Sequence, residues 1–239
     1  MLQDNPLFEE LHLSTRLAHR RLEQRLDFYH PTFDAHNNLR MLQDFWGFYQ
    51  PLERKLVVLA DRYLPSPHSQ QRRKTPRLEQ DLLALGMTQA DIAALPLCGR
   101  LPAIPTLPQV FGVLYVIDGA ALGERILTTH LHSVGDTLGI SPSQGGSFFS
   151  SLNSSYASAT NSYWPELIAM TEAVEAPDFR HLAIQSAIDT LECFEMWLEH
   201  RKRSHVAFAR HTNALRWSSQ FELAPELFCA ERLGDIRVA

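Results

Sequence analysis

The apolar positions in the first sixty residues recur every three or four residues, the period of a helix with one buried face. On the first segment this face carries Phe8, Leu11, Thr15, Ala18, Leu22, Leu26 and Tyr29. We expect the helix to end at His30-Pro31, because the residue before a proline is pushed out of the α region. A second helix is predicted from about Asp34 to Tyr63, and Pro51 inside it should kink it or disturb its hydrogen bonds.

The helical period continues along the chain. Short helices are predicted near 77–85 and 88–95, followed by a proline-marked irregular connection and by longer helices at about 109–134, 147–175 and 178–202. Neither the alternation typical of strands nor an internal repeat is present. The pattern therefore predicts an all-α, single-domain, multi-helical bundle over residues 1–203, followed by a weakly patterned C-terminal extension at 204–239.

Composition narrows the class of protein. The apolar share of 45% and the charged share of 21% are typical of a globular chain and exclude a disordered one. The net charge of −5 lacks the basic excess of a nucleic-acid-binding surface. The apolar run Val110–Ile117 is far shorter than the roughly 20 residues of a membrane helix. Three widely spaced cysteines and no signal-peptide pattern favour a reducing cytoplasm. We therefore predict a cytoplasmic protein that binds neither nucleic acid nor membrane.

One candidate for chemistry lies on the first helix. Thr15, His19 and Glu23 are spaced by four residues, which aligns them along one edge of the apolar face. A neutral imidazole there could ligate a metal through one ring nitrogen, while Glu23 accepts a hydrogen bond from the other. The alternative is a half-buried histidine that only packs and bonds with its neighbours.

Glycines mark a second candidate, in the predicted helix at 109–134. Gly112, Val116, Gly119 and Gly123 fall within an arc of about 60° on one helix face. Glycine costs about 1 kcal/mol relative to alanine inside a helix, so this shallow groove requires a reason. Two interpretations are open at this point, a closely packed neighbouring helix or a flat ligand against the backbone.

The late predicted helix carries an aromatic and sulfur-rich stripe around Phe194. Such a stripe belongs either to the core or to the wall of an apolar cofactor pocket.

Taken in order, these segments resemble the heme oxygenase family over about residues 8–200. The T-x-x-x-H-x-x-x-E pattern in Ser14–Glu23 resembles the family's proximal helix. Gly112–Gly123 is similar to its distal helix, most closely in the bacterial, bacteriophytochrome-associated branch. Phe48–Glu53 is similar to a Y-x-x-L-E segment of the second helix, and Thr190–Glu195 to the late helix that walls the heme.

The resemblance implies a function and assigns roles. His19 would be the proximal ligand of the heme iron, with Thr15 and Glu23 around it. Gly119 and Gly123 would be the catalytic positions that let the distal helix approach the heme, and Phe194 would contact it. Heme, both cofactor and substrate, would be cleaved to biliverdin, CO and ferrous iron, using O₂ and an external electron donor such as a reductase or ferredoxin. A phytochrome is the partner that could receive the biliverdin.

Two residues depart from the family pattern. Ala120 stands where the family carries aspartate or serine, and Glu124 stands where a further glycine is usual. A methyl group cannot hold water, and a carboxylate could occlude the pocket. These departures leave open a protein that binds heme or another tetrapyrrole without degrading it. A relative of the same fold that uses no heme is the remaining alternative, and His19 would then be a core residue.

Overall fold

The computed structural model describes residues 6–26, 34–63, 73–117, 147–148 and 178–221 of the chain. Its helices are α1 (Pro6–Leu26), α2 (Ala35–Tyr63), α3 (Thr75–Ala84), α4 (Gln89–Ala93), α5 (Leu107–Ile117) and α6 (Phe179–Phe221). Helix accounts for 83% of these residues, and no strand occurs among them. The all-α prediction is therefore confirmed for the part of the chain that the structure describes.

The predicted helices agree with the structure to within a few residues from α1 to α4 and at the start of α6. The predicted extension of α5 beyond 117 and the predicted helix at 147–175 lie outside the described residues, except for 147–148. The predicted end of the last helix near 202 is wrong, because α6 continues to Phe221. No glycine or proline occurs between 179 and 221, so nothing in the sequence breaks the helix after its apolar stripe fades.

The chain divides into two compact units, Met1–Glu199 and His200–Ala239. The sequence predicts this boundary after residue 203. The described part of the second unit, residues 200–221, is helical. The features that follow all belong to the first unit.

Helix α2 passes through Pro51 without ending. Proline has no N–H, so the carbonyl of Gly47 cannot receive the usual bond from four residues on. The Cys98 N–H donates to this carbonyl instead, at 2.8 Å. A Cβ on Gly47 would lie 2.6 Å from the Pro96 oxygen and 2.5 Å from the Trp197 ring. The connection after α4 and helix α6 therefore both approach α2 here, and the hydrogen bond that Pro51 removes is replaced from another part of the chain.

A buried carboxylate from α2 caps the start of α3. Glu53 accepts hydrogen bonds from the backbone N–H of Lys74 and from the Thr75 N–H and hydroxyl, the last two at 3.2 and 2.5 Å. The N-cap residue Lys74 provides no side-chain cap of its own. Glu53 thus satisfies donors that a helix leaves unpaired at its N-terminus. Burial raises the pKa of Glu53, and these hydrogen bonds oppose that shift.

A second buried carboxylate, Asp81 of α3, binds a distant segment in the same way. It accepts hydrogen bonds from the Ser147 N–H at 2.9 Å, the Ser147 hydroxyl at 2.6 Å and the Phe148 N–H at 2.7 Å. Burial raises its pKa, and the hydrogen bonds from Ser147 and Phe148 again oppose the shift. Asp81 therefore fixes residues 147–148 beside the core.

Aromatic side chains of α2 form the centre of that core. Phe48 stacks on Phe194 of α6 with ring centroids 4.3 Å apart, and Phe45 meets the same ring edge-on at 5.1 Å. Tyr49 and Phe148 complete the cluster, with their centroids 5.7 Å apart. Such edge-to-face and offset contacts stabilise beyond the apolar area they bury.

Candidate functional site

Helix α1 carries the residues that the sequence singles out, at the margin of its buried face. The Thr15 residue is 3% exposed, while the His19 and Glu23 side chains are 16% and 29% exposed. This gradient follows from the four-residue spacing, because each step of 400° moves a residue about 40° around the helix. His19 thus lies where the core meets the surface.

The imidazole of His19 is held from one side only. Its Nδ1 lies 3.0 Å from Glu23 Oε1, the contact that the spacing predicts. Its Nε2 is buried, and no hydrogen-bond partner for it exists among the described residues. With Nδ1–H donating to the carboxylate, the lone pair of a neutral ring is on Nε2. Buried polar atoms are rarely left unpaired, so this nitrogen is available to accept a hydrogen bond or to bind a metal ion.

Electrostatics keep this ring neutral. Burial of the imidazole and, to a smaller extent, the nearby His12 together lower the pKa of His19 to about 4. Burial also raises the pKa of Glu23, the partner of Nδ1, and Arg20 opposes that shift. Near neutral pH, His19 therefore needs to release no proton before it binds a metal ion. The sequence analysis assigns His12 no role beside His19, although its seven-residue spacing from His19 places it on the same helix face.

A hydroxyl pair joins α1 to α5 one turn before His19. The Thr15 hydroxyl donates to the Leu11 carbonyl at 2.7 Å, and its interaction with the Tyr115 hydroxyl opposes the rise that burial causes in the pKa of Tyr115. Tyr115 received no role from the sequence. Its signal was a hydroxyl within the otherwise apolar run 110–117.

Further contacts hold α1 against its neighbours. Phe8 meets Phe111 and Tyr115 of α5 edge-on, with centroids 5.9 and 6.0 Å apart. On another side of α1, Arg21 donates to Glu192 and Glu195 of α6, both at 3.0 Å. Arg25 also reaches Glu195, at 3.5 Å. The helix that carries His19 is thus bound to both α5 and α6.

At Gly112 the glycine face packs against another helix. A Cβ there would lie 2.1 Å from the Ala183 carbonyl oxygen and 2.9 Å from the Ala187 nitrogen. Ser186 adds a hydrogen bond to the Gln109 carbonyl at 2.8 Å. Of the two interpretations of the groove, close helix packing is therefore correct at this position, and a ligand cannot occupy it.

The remaining distal-helix positions lie outside the described residues. These are Gly119 and Gly123, together with the departures Ala120 and Glu124. Their predicted roles stay predictions.

Phe194 is the third predicted site element, and it lies in the aromatic cluster with α2. The residue is 2% exposed, and its ring contacts Phe45, Phe48 and Tyr49. These contacts agree with the interpretation that the stripe of the late helix belongs to the core. A contact between Phe194 and a cofactor also stays a prediction.

The described residues offer one candidate metal ligand on α1, His19. Within the described residues, no three His, Cys, Asp or Glu side chains assemble into a site that could hold a metal ion. His19 could supply one ligand to a metal through its Nε2. Heme iron fits, because the porphyrin provides four nitrogens and the protein an axial imidazole.

Comparison with known protein families finds no matching family model, and comparison with curated proteins finds no match either. Within the described ranges, no helix is both long and apolar enough to cross a membrane.

Proposed function

We propose that this chain is a heme oxygenase of the bacterial type, with a heme-oxygenase-like fold and with His19 as the proximal ligand of the heme iron. The observation that carries the proposal is the His19 ring. Its Nδ1 is held by Glu23 at 3.0 Å, while the buried Nε2 has no partner among the described residues.

The surroundings of His19 match what an axial histidine requires. A ligating imidazole generally donates its second N–H to a carboxylate or carbonyl, which fixes the tautomer and raises the basicity of the ligating nitrogen. Glu23 provides that acceptor, and burial keeps the ring neutral. Thr15 and Tyr115 position α1 against α5 one turn away. The same residues thus serve as positioning groups in the proposed site.

Bound heme would supply both the iron at which O₂ is reduced and the ring that is cleaved to biliverdin, CO and ferrous iron. The chain's own part is to hold the iron through His19 and to exclude water with the apolar faces of α1 and α5. Gly119 follows Ile117 by two residues in the sequence, and Gly123 by six. We assign them the close approach to the heme. The electrons would come from a reductase or ferredoxin, and a phytochrome could receive the biliverdin.

Titration with hemin tests the ligand assignment. We expect the wild-type protein to give a saturable Soret band and His19→Ala to lose or shift it. The matched control is His36→Ala, because His36 is exposed on α2 and should leave the band unchanged. If His19→Ala binds hemin with the wild-type spectrum and affinity, the assignment of His19 is wrong.

Addition of ascorbate under air then tests the reaction. Decay of the Soret band into biliverdin absorbance would support the oxygenase. A Soret band that persists would favour a protein that binds heme or another tetrapyrrole without degrading it, the alternative that Ala120 and Glu124 suggest. No band at all would contradict both and leave His19 as a residue that only packs and bonds with its neighbours.

A further inference from the structure

Two thiols of the first unit, Cys98 and Cys193, have no role of their own in the proposed function. Cys98 belongs to the irregular connection between α4 and α5, and Cys193 belongs to α6. The residues are 6% and 9% exposed, and neither cysteine forms a disulfide. They are far apart in the sequence, so only the fold can bring them together.

Packing at Gly47 joins the segments that carry these thiols. The Cys98 N–H donates to the Gly47 carbonyl. The Pro96 oxygen and the Trp197 ring converge on the same glycine, where a Cβ would lie 2.6 and 2.5 Å from them. Cys193 is one helical turn before Trp197, so the two side chains share a face of α6. That face therefore meets the connection beside Cys98.

The electrostatics of the thiols agree with this placement. Burial raises the pKa of both, and a charge on Cys98 would raise the pKa of Cys193 further. Arg100, two residues after Cys98, acts on Cys193 in the opposite sense. Both influences decay with distance, so they agree with the approach of α6 to the Cys98 segment that the packing at Gly47 shows.

We propose that Cys98 and Cys193 form a reversible intramolecular disulfide when the protein meets a low-molecular-weight disulfide such as glutathione disulfide. One thiolate attacks the small disulfide, forms a mixed disulfide and releases one thiol. The second thiolate attacks the protein-bound sulfur of that mixed disulfide and releases the other thiol. The two cysteines lose two electrons and two protons in total, and the small disulfide gains them as two thiols.

Formation of this bond depends on how far the two segments can move. A disulfide requires its two Cα atoms to lie about 4.4–6.8 Å apart, so at least one of the two segments must be able to shift towards the other. Cys98 lies in a connection without regular secondary structure, which can move more easily than α6. The Cys98 thiol would give up its hydrogen bond to the Arg100 carbonyl, 3.2 Å long. Since thiolates are the attacking species and burial disfavours them, the reaction should accelerate as the pH rises.

The test uses the reduced full-length protein in graded mixtures of glutathione and glutathione disulfide, followed by alkylation and peptide mapping. We expect a monomer lighter by two hydrogen atoms, with a peptide that links Cys98 to Cys193 and disappears on treatment with dithiothreitol. The proposal is overturned if both thiols remain alkylatable after denaturation, if they only carry glutathione, or if the link joins two chains.

Three serine variants sharpen this test. Cys229→Ser is the matched control and should retain the linked peptide, whereas Cys98→Ser and Cys193→Ser should each lose it. A variant whose circular dichroism shows lost helix is set aside, and the wild-type peptide map then decides. A wild-type map that links Cys229 to either buried cysteine contradicts the proposal. This test requires no heme, so its result is independent of the proposed oxygenase function.

Discussion

His19 is neutral in the folded protein near neutral pH, whereas in the unfolded chain it titrates at its ordinary pKa of 6.5. Between pH 6.5 and about 4 the unfolded state therefore binds a proton that the folded state does not. The free energy of unfolding should fall as the pH falls through this window. The full shift corresponds to a loss of roughly 3 kcal/mol.

Urea denaturation of the heme-free protein between pH 7 and pH 4 measures this loss. We expect the stability of His19→Gln to fall less steeply than that of the wild type. The comparison cancels the contributions of other groups to the pH dependence, because both proteins contain them. Glu53 and Asp81 are examples, and their raised pKa values increase the free energy of unfolding as the pH falls. Equal pH dependence in the two proteins would contradict the low pKa of His19.

The Tyr115 hydroxyl provides a second prediction for a single residue. Tyr115→Phe removes the hydroxyl that interacts with Thr15 and leaves the Thr15 bond to Leu11 in place. We expect a loss of about 1 kcal/mol in the free energy of unfolding, typical of one buried hydrogen bond. Combination with Thr15→Val in a double-mutant cycle checks the pair directly. A coupling energy of zero would show that the two hydroxyls do not interact.

At the scale of helices, α5 and α6 approach closely because Gly112 has no side chain. Gly112→Ala would place a Cβ against the backbone of Ala183 and Ala187, which cannot rotate away as a side chain can. We expect the variant to lose about 1–3 kcal/mol, the usual cost of overpacking. Thermal or urea unfolding measures this change.

Gly99→Ala is the control for that substitution. A Cβ at Gly99 would meet no atom within 4 Å, so the stability should change by less than about 0.5 kcal/mol. If both alanine variants are equally stable, α5 and α6 do not meet at Gly112.

The same helices show how far a sequence pattern reaches. The apolar period predicts α1 and α2 closely, because that period is what each helix buries. The period does not reveal which partner fills the space beside a glycine. At Gly112 the sequence alone therefore allows both helix packing and ligand contact, and only the observed contact with α6 decides between them. The contact between His19 and Glu23 was predictable because both lie on one helix. The contact between Thr15 and Tyr115 was not, since it joins two helices.

On the scale of the first unit, polar side chains connect segments that are remote in the chain. Asp81 holds residues 147–148, Trp197 donates to the Asp44 carbonyl at 2.7 Å, and Arg21 binds Glu192. Each such partner lies far along the sequence, and local patterns carry no information about it. The buried members should contribute more to stability than the exposed ion pair, which solvent screens.

The hydrogen bond from the Cys98 N–H to the Gly47 carbonyl also bears on the cooperativity of folding. Helix α2 contains one carbonyl that its own ladder cannot satisfy, and the donor arrives from a segment that follows two helices later. Native-state hydrogen exchange should therefore find the Cys98 amide protected like the Phe48 amide of α2, although Cys98 lies outside every helix. The exposed amide of Gly99 is the comparison, and equal exchange at Cys98 and Gly99 would refute this. Because α2 is complete only when the connection docks, the two segments open and close as one cooperative unit.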